Sequence, residues 1–204
     1  MFLLFISYSL FQTVKFLKPS LFILLALCCG IGVGVYRIAS IENSRAFFHN
    51  GSWTGSKNLA LGEDKLITAQ VTIFALFALP STEAIYLFAR RDEKHEVLNA
   101  ENNYTITGNV NQIHAKYWSI TAYGKDLYLI PNEDNRYSFN NTNLQTDSAG
   151  NFTITLSPER VTGNWLPTPA HAKFNVVLRI YKGEFNFLFN LETTSLPEIK
   201  KTAR

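Results

Sequence analysis

Cysteine is almost missing from this chain of 204 residues, and the two present, Cys28 and Cys29, adjoin each other inside an apolar stretch. The remainder therefore has no disulfide, no thiolate metal ligand and no cysteine nucleophile. Neighbouring cysteines seldom bridge each other without distorting the peptide between them, so these two read as small lipid-facing or helix-packing residues. Charge is scarce as well: Asp, Glu, Lys and Arg make up 17% of the chain, and no basic run occurs. With Lys15 and Lys18 assigned to the N-terminal segment, the rest is close to neutral. It carries no electrostatic footprint for a phosphate backbone, and nucleic acid is not an expected partner. The four histidines, His49, His95, His114 and His171, show no metal-ligand spacing. No Gly-x-Ser-x-Gly elbow, phosphate loop or dinucleotide fingerprint is present, so we expect neither a metal nor a cofactor. Internal repeats and low-complexity tracts are also absent, and no linker splits the domain.

Aromatic residues are plentiful at 14%. With this length they favour one well-packed, strand-rich domain over disorder. Ahead of it, Ser20 to Tyr36 is apolar throughout and follows Lys15, Lys18 and Pro19. That is about the minimum for a helix crossing the hydrocarbon core, and Gly30, Gly32 and Gly34 are tolerated there. The lysines place the N-terminus in the cytoplasm and the bulk of the chain outside, against a weak counterweight from Arg37 and Arg45. We read a signal anchor. A cleaved secretory signal is the alternative, with Ile38-Ala39-Ser40 a mediocre cutting site. Lipoprotein attachment fits worse, because Leu27 and Cys28 stand where a small residue is expected. Met1 to Phe11 is too short to span alone and reads as an overlong start, an interfacial segment or one arm of a membrane hairpin.

The expected organisation is residues 1–19 as a cytoplasmic or interfacial N-terminus, 20–36 as the transmembrane anchor and 37–57 as a juxtamembrane connector. Residues 58–199 form the soluble domain and 200–204 a tail. Asp64 before an apolar stretch and Pro80 after it predict a helix from about Lys65 to Ala78, packed under a sheet. Beyond it, Glu83–Ala89, Tyr104–Gly108, Tyr117–Tyr123, Asp126–Ile130, Arg136–Asn140, Phe152–Ser157 and Phe174–Tyr181 read as strands divided by turn residues. In Phe152 to Ser157 the apolar and hydroxyl residues alternate cleanly, the mark of a strand with one wet face.

Five islands stand out: Tyr117-Trp118-Ser119-Ile120-Thr121-Ala122-Tyr123, Pro131-Asn132-Glu133-Asp134-Asn135-Arg136-Tyr137-Ser138, Phe152 to Ser157, Asn164-Trp165-Leu166-Pro167 and Arg179-Ile180-Tyr181. In this order and spacing they resemble the bacterial family called domain of unknown function 1214, over roughly Asn50 to Ile199. The resemblance implies a sandwich-like β fold, a helix before the Glu83–Ala89 strand, and no settled activity. It also implies a module often found behind a companion, domain of unknown function 1254, in longer envelope proteins. No companion precedes it here, so the expectation is a standalone copy behind a membrane segment.

Alternation places Trp118, Ile120 and Ala122 on one face of their strand and Tyr117, Ser119, Thr121 and Tyr123 on the other. Two tyrosines and two hydroxyls suit an aromatic platform for a sugar or another polar ligand; the plainer role is a half-buried sheet face. In Phe174 to Tyr181 the polar row is Asn175, Val177, Arg179 and Tyr181. Arg179 calls for a carboxylate partner, Asp134 or Glu133, unless it holds a ligand's carboxylate or phosphate. Arg136 and Tyr137 belong to the densest polar cluster, whose Glu133 and Asp134 read more simply as turn or surface carboxylates than as an acid–base pair. Trp165 reads as a buried loop anchor, or alternatively as a stacking residue at a cleft rim.

The expected fold is thus mainly β (α+β), an antiparallel sandwich or jelly-roll-like domain with one early helix behind a single transmembrane helix. The expected location is the inner membrane with the domain in the periplasm. The expected function is non-catalytic binding or scaffolding for a glycan, a lipid headgroup or an envelope protein. The ligand candidates are Tyr117, Tyr123, Arg136, Tyr137, Trp165, Arg179 and Tyr181. The alternative is a hydrolase or lyase of a saccharide or acidic small molecule, using Glu133, Asp134 or His114 with Arg179.

Overall fold

Alternation with a period of two decides which stretches of Arg45–Arg204 become strands and which way their side chains face. The computed structural model describes residues 19–36, 47–56 and 83–202. The expected helix over Lys65–Ala78 and the apolar run Met1–Phe11 lie outside these residues. The chain divides into two units, Met1–Ser44 and Arg45–Arg204. In the first, helix α1 (Pro19–Tyr36) has 18 residues, is apolar and is exposed along nearly its whole length. At 1.5 Å per residue it measures about 27 Å, close to the thickness of a hydrocarbon core.

Among its described residues the second unit has β1 (Phe47–Asn50), β2 (Trp53–Ser56), β3 (Ala84–Ala89), β4 (Asn103–Asn109), β5 (Ala115–Gly124), β6 (Ser138–Asn140), β7 (Asn151–Ser157), β8 (Trp165–Pro167), β9 (Phe174–Gly183), a short helix α2 (Phe185–Phe189) and β10 (Glu198–Thr202). They form a six-stranded sheet in the order β1-β2-β3-β9-β5-β6 and a four-stranded sheet in the order β10-β4-β7-β8. All the pairings are antiparallel except β7 with β8. The two sheets make the expected β-sandwich. Between them lie Leu87, Trp118, Ile120, Leu178 and Ile180 from the larger sheet and Tyr104, Ile106, Ile154, Leu156 and Ile199 from the smaller, all buried in one cluster. Aromatic contacts join the two layers: Trp118 meets Phe152 with ring centroids 5.9 Å apart, and Tyr104 meets Phe174 edge-on at 5.6 Å.

Several elements depart from the sequence reading. Phe47–Asn50 and Trp53–Ser56, placed in a connector, are a hairpin that begins the large sheet. Its tight turn uses Gly51 at a φ of 57°, a conformation glycine adopts without penalty. The hairpin is sealed from a distance: Trp53 Nε1 donates to the Pro197 carbonyl at 2.6 Å, and Asn50 Nδ2 donates to the carbonyls of Leu191 at 2.8 Å and Thr194 at 2.6 Å. Asp126–Ile130, read as a strand, is a turn whose one ladder contact is an isolated bridge from Tyr123 to Leu129. Leu127 there takes a φ of 66°, which breaks the extended run. Asn164–Pro167, read as a loop, contributes β8, and the supposed tail from residue 200 completes β10 against β4. Helix α2 had no counterpart in the sequence reading.

Candidate functional site

The larger sheet turns one face to the core and the other outward, and the outward face gathers most of the candidate residues. Register alone specifies it. Arg179 lies between Tyr86 on β3 and Ser119 on β5, and Tyr181 lies between Ala84 and Tyr117. One step along in the other direction Val177 lies between Phe88 and Thr121, and Tyr123 stands opposite Asn175. Directly opposed residues of an antiparallel pair share a face, so these side chains form one surface. Ser119, Thr121 and Val177 are buried in it, whereas Tyr86, Tyr123, Arg179 and Tyr181 are half-buried and Tyr117 is exposed.

Arg179 is the centre of this surface. Its Nη2 donates to Tyr123 Oη at 2.6 Å, and its Nη1 reaches Thr121 Oγ1 at 3.4 Å. The guanidinium carbon sits 5.2 Å from the Tyr123 ring centroid and 5.9 Å from that of Tyr86, within cation–π range of both. Beside them Tyr117 and Tyr181 pack ring against ring at 5.6 Å. Among the described residues no carboxylate lies within salt-bridge distance of Arg179. The expected partner, Asp134, is taken by Arg160, whose Nε donates to Asp134 Oδ2 at 2.6 Å. A guanidinium never loses its proton and presents five N–H donors, so a half-buried one whose partners among the described residues are neutral keeps its positive charge and offers donors for an anion.

The remaining candidates lie elsewhere. Arg136 and Tyr137 belong to a turn stitched by Asn132, whose Oδ1 accepts from Arg136 N at 2.9 Å and whose Nδ2 donates to Arg136 O at 3.0 Å. Asn135 in that turn has a φ of 50° and accepts from Tyr137 Oη at 3.3 Å. The Arg136 guanidinium covers the Phe139 ring at 5.2 Å. The Pro-Asn…Asn-Arg-Tyr-Ser island is thus a turn device. Trp165 is in the other sheet; it is only 6% exposed and donates from Nε1 to both Ser157 O and Ser157 Oγ at 3.1 Å. Those bonds tie its indole to the end of β7. Its neighbour Asn164 clips two segments together, accepting from Gln145 N at 2.9 Å and donating to Gln145 O at 2.8 Å and Thr153 O at 3.1 Å.

A shallow, open cleft of about 550 Å³ lies over that second sheet, lined by Asp147, Asn151, Thr153, Thr155, Thr162 and Asn164 among others. Much of its polar chemistry is spent internally. Asp147 Oδ1 accepts from Ala149 N and Asn151 N, and its Oδ2 accepts from Asn151 Nδ2. The Asn151 side chain and backbone, followed by the amides of Ala149 and Gly150, hold the Asp147 carboxyl below its ordinary pKa of 3.8. His114 and Glu184 approach to 3.9 Å, beyond hydrogen-bond reach, with side chains 56% and 72% exposed. No group of three or more metal-ligating side chains occurs among the described residues.

Tyr86 was missed as a member of the Arg179 surface. Its position in the alternating Ala84–Ala89 run gave its face, but only strand pairing puts that face beside Arg179.

A family model described as "Protein of unknown function (DUF1214)" matches residues 83–185, which hold β3 through β9. The VPA0106 protein of Vibrio parahaemolyticus has a solved structure that is 26% identical, with a TM-score of 0.56 over 70% of this chain. The chain spans only 36% of that protein's length. An uncharacterised protein from Burkholderia cenocepacia is similar at 18% identity and a TM-score of 0.43, over 83% of this chain and 40% of its own. No curated protein matches the chain.

Proposed function

The chain belongs to the DUF1214 family, whose description assigns no activity, and from that premise we propose that its β unit is a non-catalytic binding module for a ligand bearing an anionic group. The observation that carries this reading is the Arg179 guanidinium, held among Tyr86, Tyr123 and Thr121 with no carboxylate beside it among the described residues. The tyrosine rings offer flat apolar faces and the phenol and hydroxyl groups offer hydrogen bonds, the combination that recognises an acidic sugar or a phosphorylated headgroup. Helix α1 holds the unit at the inner membrane with the sandwich on the periplasmic side, an orientation favoured by Lys15 and Lys18 ahead of the span.

The test is equilibrium binding to the full chain in nanodiscs, using three probes: a uronic-acid oligosaccharide, its neutral counterpart, and a soluble phosphate monoester headgroup. One or both acidic probes should bind and the neutral one should not. Arg179→Met should weaken acidic binding at least about tenfold, equivalent to about 1.4 kcal/mol, through loss of the paired charge. Equal binding of the acidic and neutral sugars, or acidic binding untouched by Arg179→Met, would sink the proposal. Preference between uronate and phosphate names the source of the charge.

A further inference from the structure

Helix α2 carries an exposed apolar pair that nothing in the Arg179 surface requires. Phe185 and Phe189, one helical turn apart, are 74% and 69% exposed, and their rings stack with centroids 5.9 Å apart. Phe187 between them is buried in the core, and Leu188 packs against it, so the pair is held out by a fixed base. Single exposed apolar residues are ordinary on a soluble surface, but two adjoining phenyl rings kept in water by a rigid turn mark a contact site.

The position of the pair points to its occupant. Helix α2 follows the end of β9, where Gly183 stands opposite Ala115, the first residue of β5. Strand β3 starts at this same end of the sheet, Ala84 being opposite Tyr181. Strand β1 also starts toward this end, since it runs parallel to β3 with β2 between them. The first described residue of the sandwich, Phe47, therefore lies toward the end of the sheet that α2 follows. Ten residues separate Tyr36 from Phe47, a connector whose full extension is about 35 Å. Among the described residues, charges at this end of the sheet include Glu83 with Lys182, Glu184 with His114, and Lys116 at the start of β5. They are of both signs, which matches a contact made by apolar insertion rather than by attraction to anionic headgroups.

We propose that Phe185 and Phe189 form a bilayer-contact tip, entering the interface of the membrane that α1 crosses and holding the β-sandwich against it. This rests on the reading of α1 as a membrane span. Shallow insertion of aromatic side chains to about 5–10 Å below the headgroup boundary is the ordinary depth of interfacial apolar residues. No covalent chemistry is involved, and neutral lipid suffices.

The experiment reconstitutes the full chain in phosphatidylcholine vesicles with or without bromine on the upper acyl chain. Tryptophan is introduced singly by Phe185→Trp, Phe189→Trp and, as a control, Tyr128→Trp. Tyr128 is 75% exposed and lies beyond the far end of β5. The natural background is Trp53, Trp118 and Trp165, all buried. Brominated lipid should quench the added emission at 185 and 189 and leave that at 128 unchanged, while aqueous iodide should do the reverse. Each sample is also floated on a density gradient after an alkaline wash. Flotation without lipid quenching at either position would overturn the tip and leave the anchor standing. Loss of flotation would overturn the anchor and the tip together. Absence of lipid quenching combined with a dimer dissolved by Phe185→Ser/Phe189→Ser would assign the patch to a second copy, again overturning the proposal.

Discussion

At the scale of single residues, three side chains make separable predictions. Trp165 is buried outside the principal cluster, and both of its acceptors belong to Ser157. Trp165→Ala should cost about 3–5 kcal/mol, the usual loss for a buried large aromatic, read as a lowered melting temperature. Arg179 and Asp134 make no contact with each other, since Asp134 is held by Arg160 in an exposed pair. Arg179→Met and Asp134→Asn should therefore add within about 0.5 kcal/mol in a double-mutant cycle, and Asp134→Asn alone should cost no more than about 1 kcal/mol. Asp147 tests the pH dependence. Its folded pKa lies below the ordinary 3.8, mainly through the Asn151 side chain. A depressed carboxyl contributes stability that is present in full above the unfolded value and fades as pH falls through the folded one. Melts of the wild type and Asp147→Asn should hold a constant separation at pH well above the ordinary 3.8 and converge as the pH falls through the depressed folded value. The faces of Tyr117, Tyr123, Arg179 and Tyr181 were legible because alternation fixes side-chain direction without knowledge of partners. The partner of Arg179 was not legible, because Asp134 and Arg179 lie far apart in sequence and nothing local distinguishes Arg160 from Arg179 as the recipient of that carboxylate.

At the scale of elements, strands with one wet face announce themselves and very short ones do not. β7 and β9 alternate over seven and ten residues, enough for the period to be unmistakable. The β1–β2 hairpin has four residues on each side, with Gly51 in its turn and Gly55 within a strand, so its period never accumulates. β8 has three residues and pairs in parallel with β7, a non-local arrangement that no adjacent turn foretells. Gly55 also shows how tightly the hairpin docks. A methyl group there would lie 2.5 Å from Leu87 Cδ2 and 2.7 Å from Phe48 Cζ. Gly55→Ala should therefore destabilise by about 1–3 kcal/mol through overpacking, with greater loss of amide-exchange protection in β1 and β2 than in β4 and β7. Equal loss in both sheets would mean that the hairpin is not a separately yielding part.

At the scale of the whole molecule, the prediction concerns address. A reporter active only outside the cytoplasm, fused after Arg204, should give signal, because Lys15 and Lys18 precede the apolar helix and Pro19–Tyr36 is long enough to cross. Activity of a cytoplasm-only reporter at the same point would reverse the orientation. The hairpin that opens the large sheet bears on how such a chain is made. Its Trp53 and Asn50 are tied to the carbonyls of Pro197, Leu191 and Thr194, partners 141 to 144 residues later. A chain delivered from its N-terminus thus presents the first edge of its sandwich long before the segment that closes it exists. Until residues 191–202 have been made, the Trp53 indole N–H lacks its Pro197 acceptor, and β4 lacks the neighbour that β10 supplies. Synthesis halted before Leu191 should leave an open sheet edge and a water-exposed indole, the kind of surface that chaperones and proteases recognise. The arrival of residues 191–202, rather than the emergence of any one earlier strand, is then the step after which the sandwich can resist degradation.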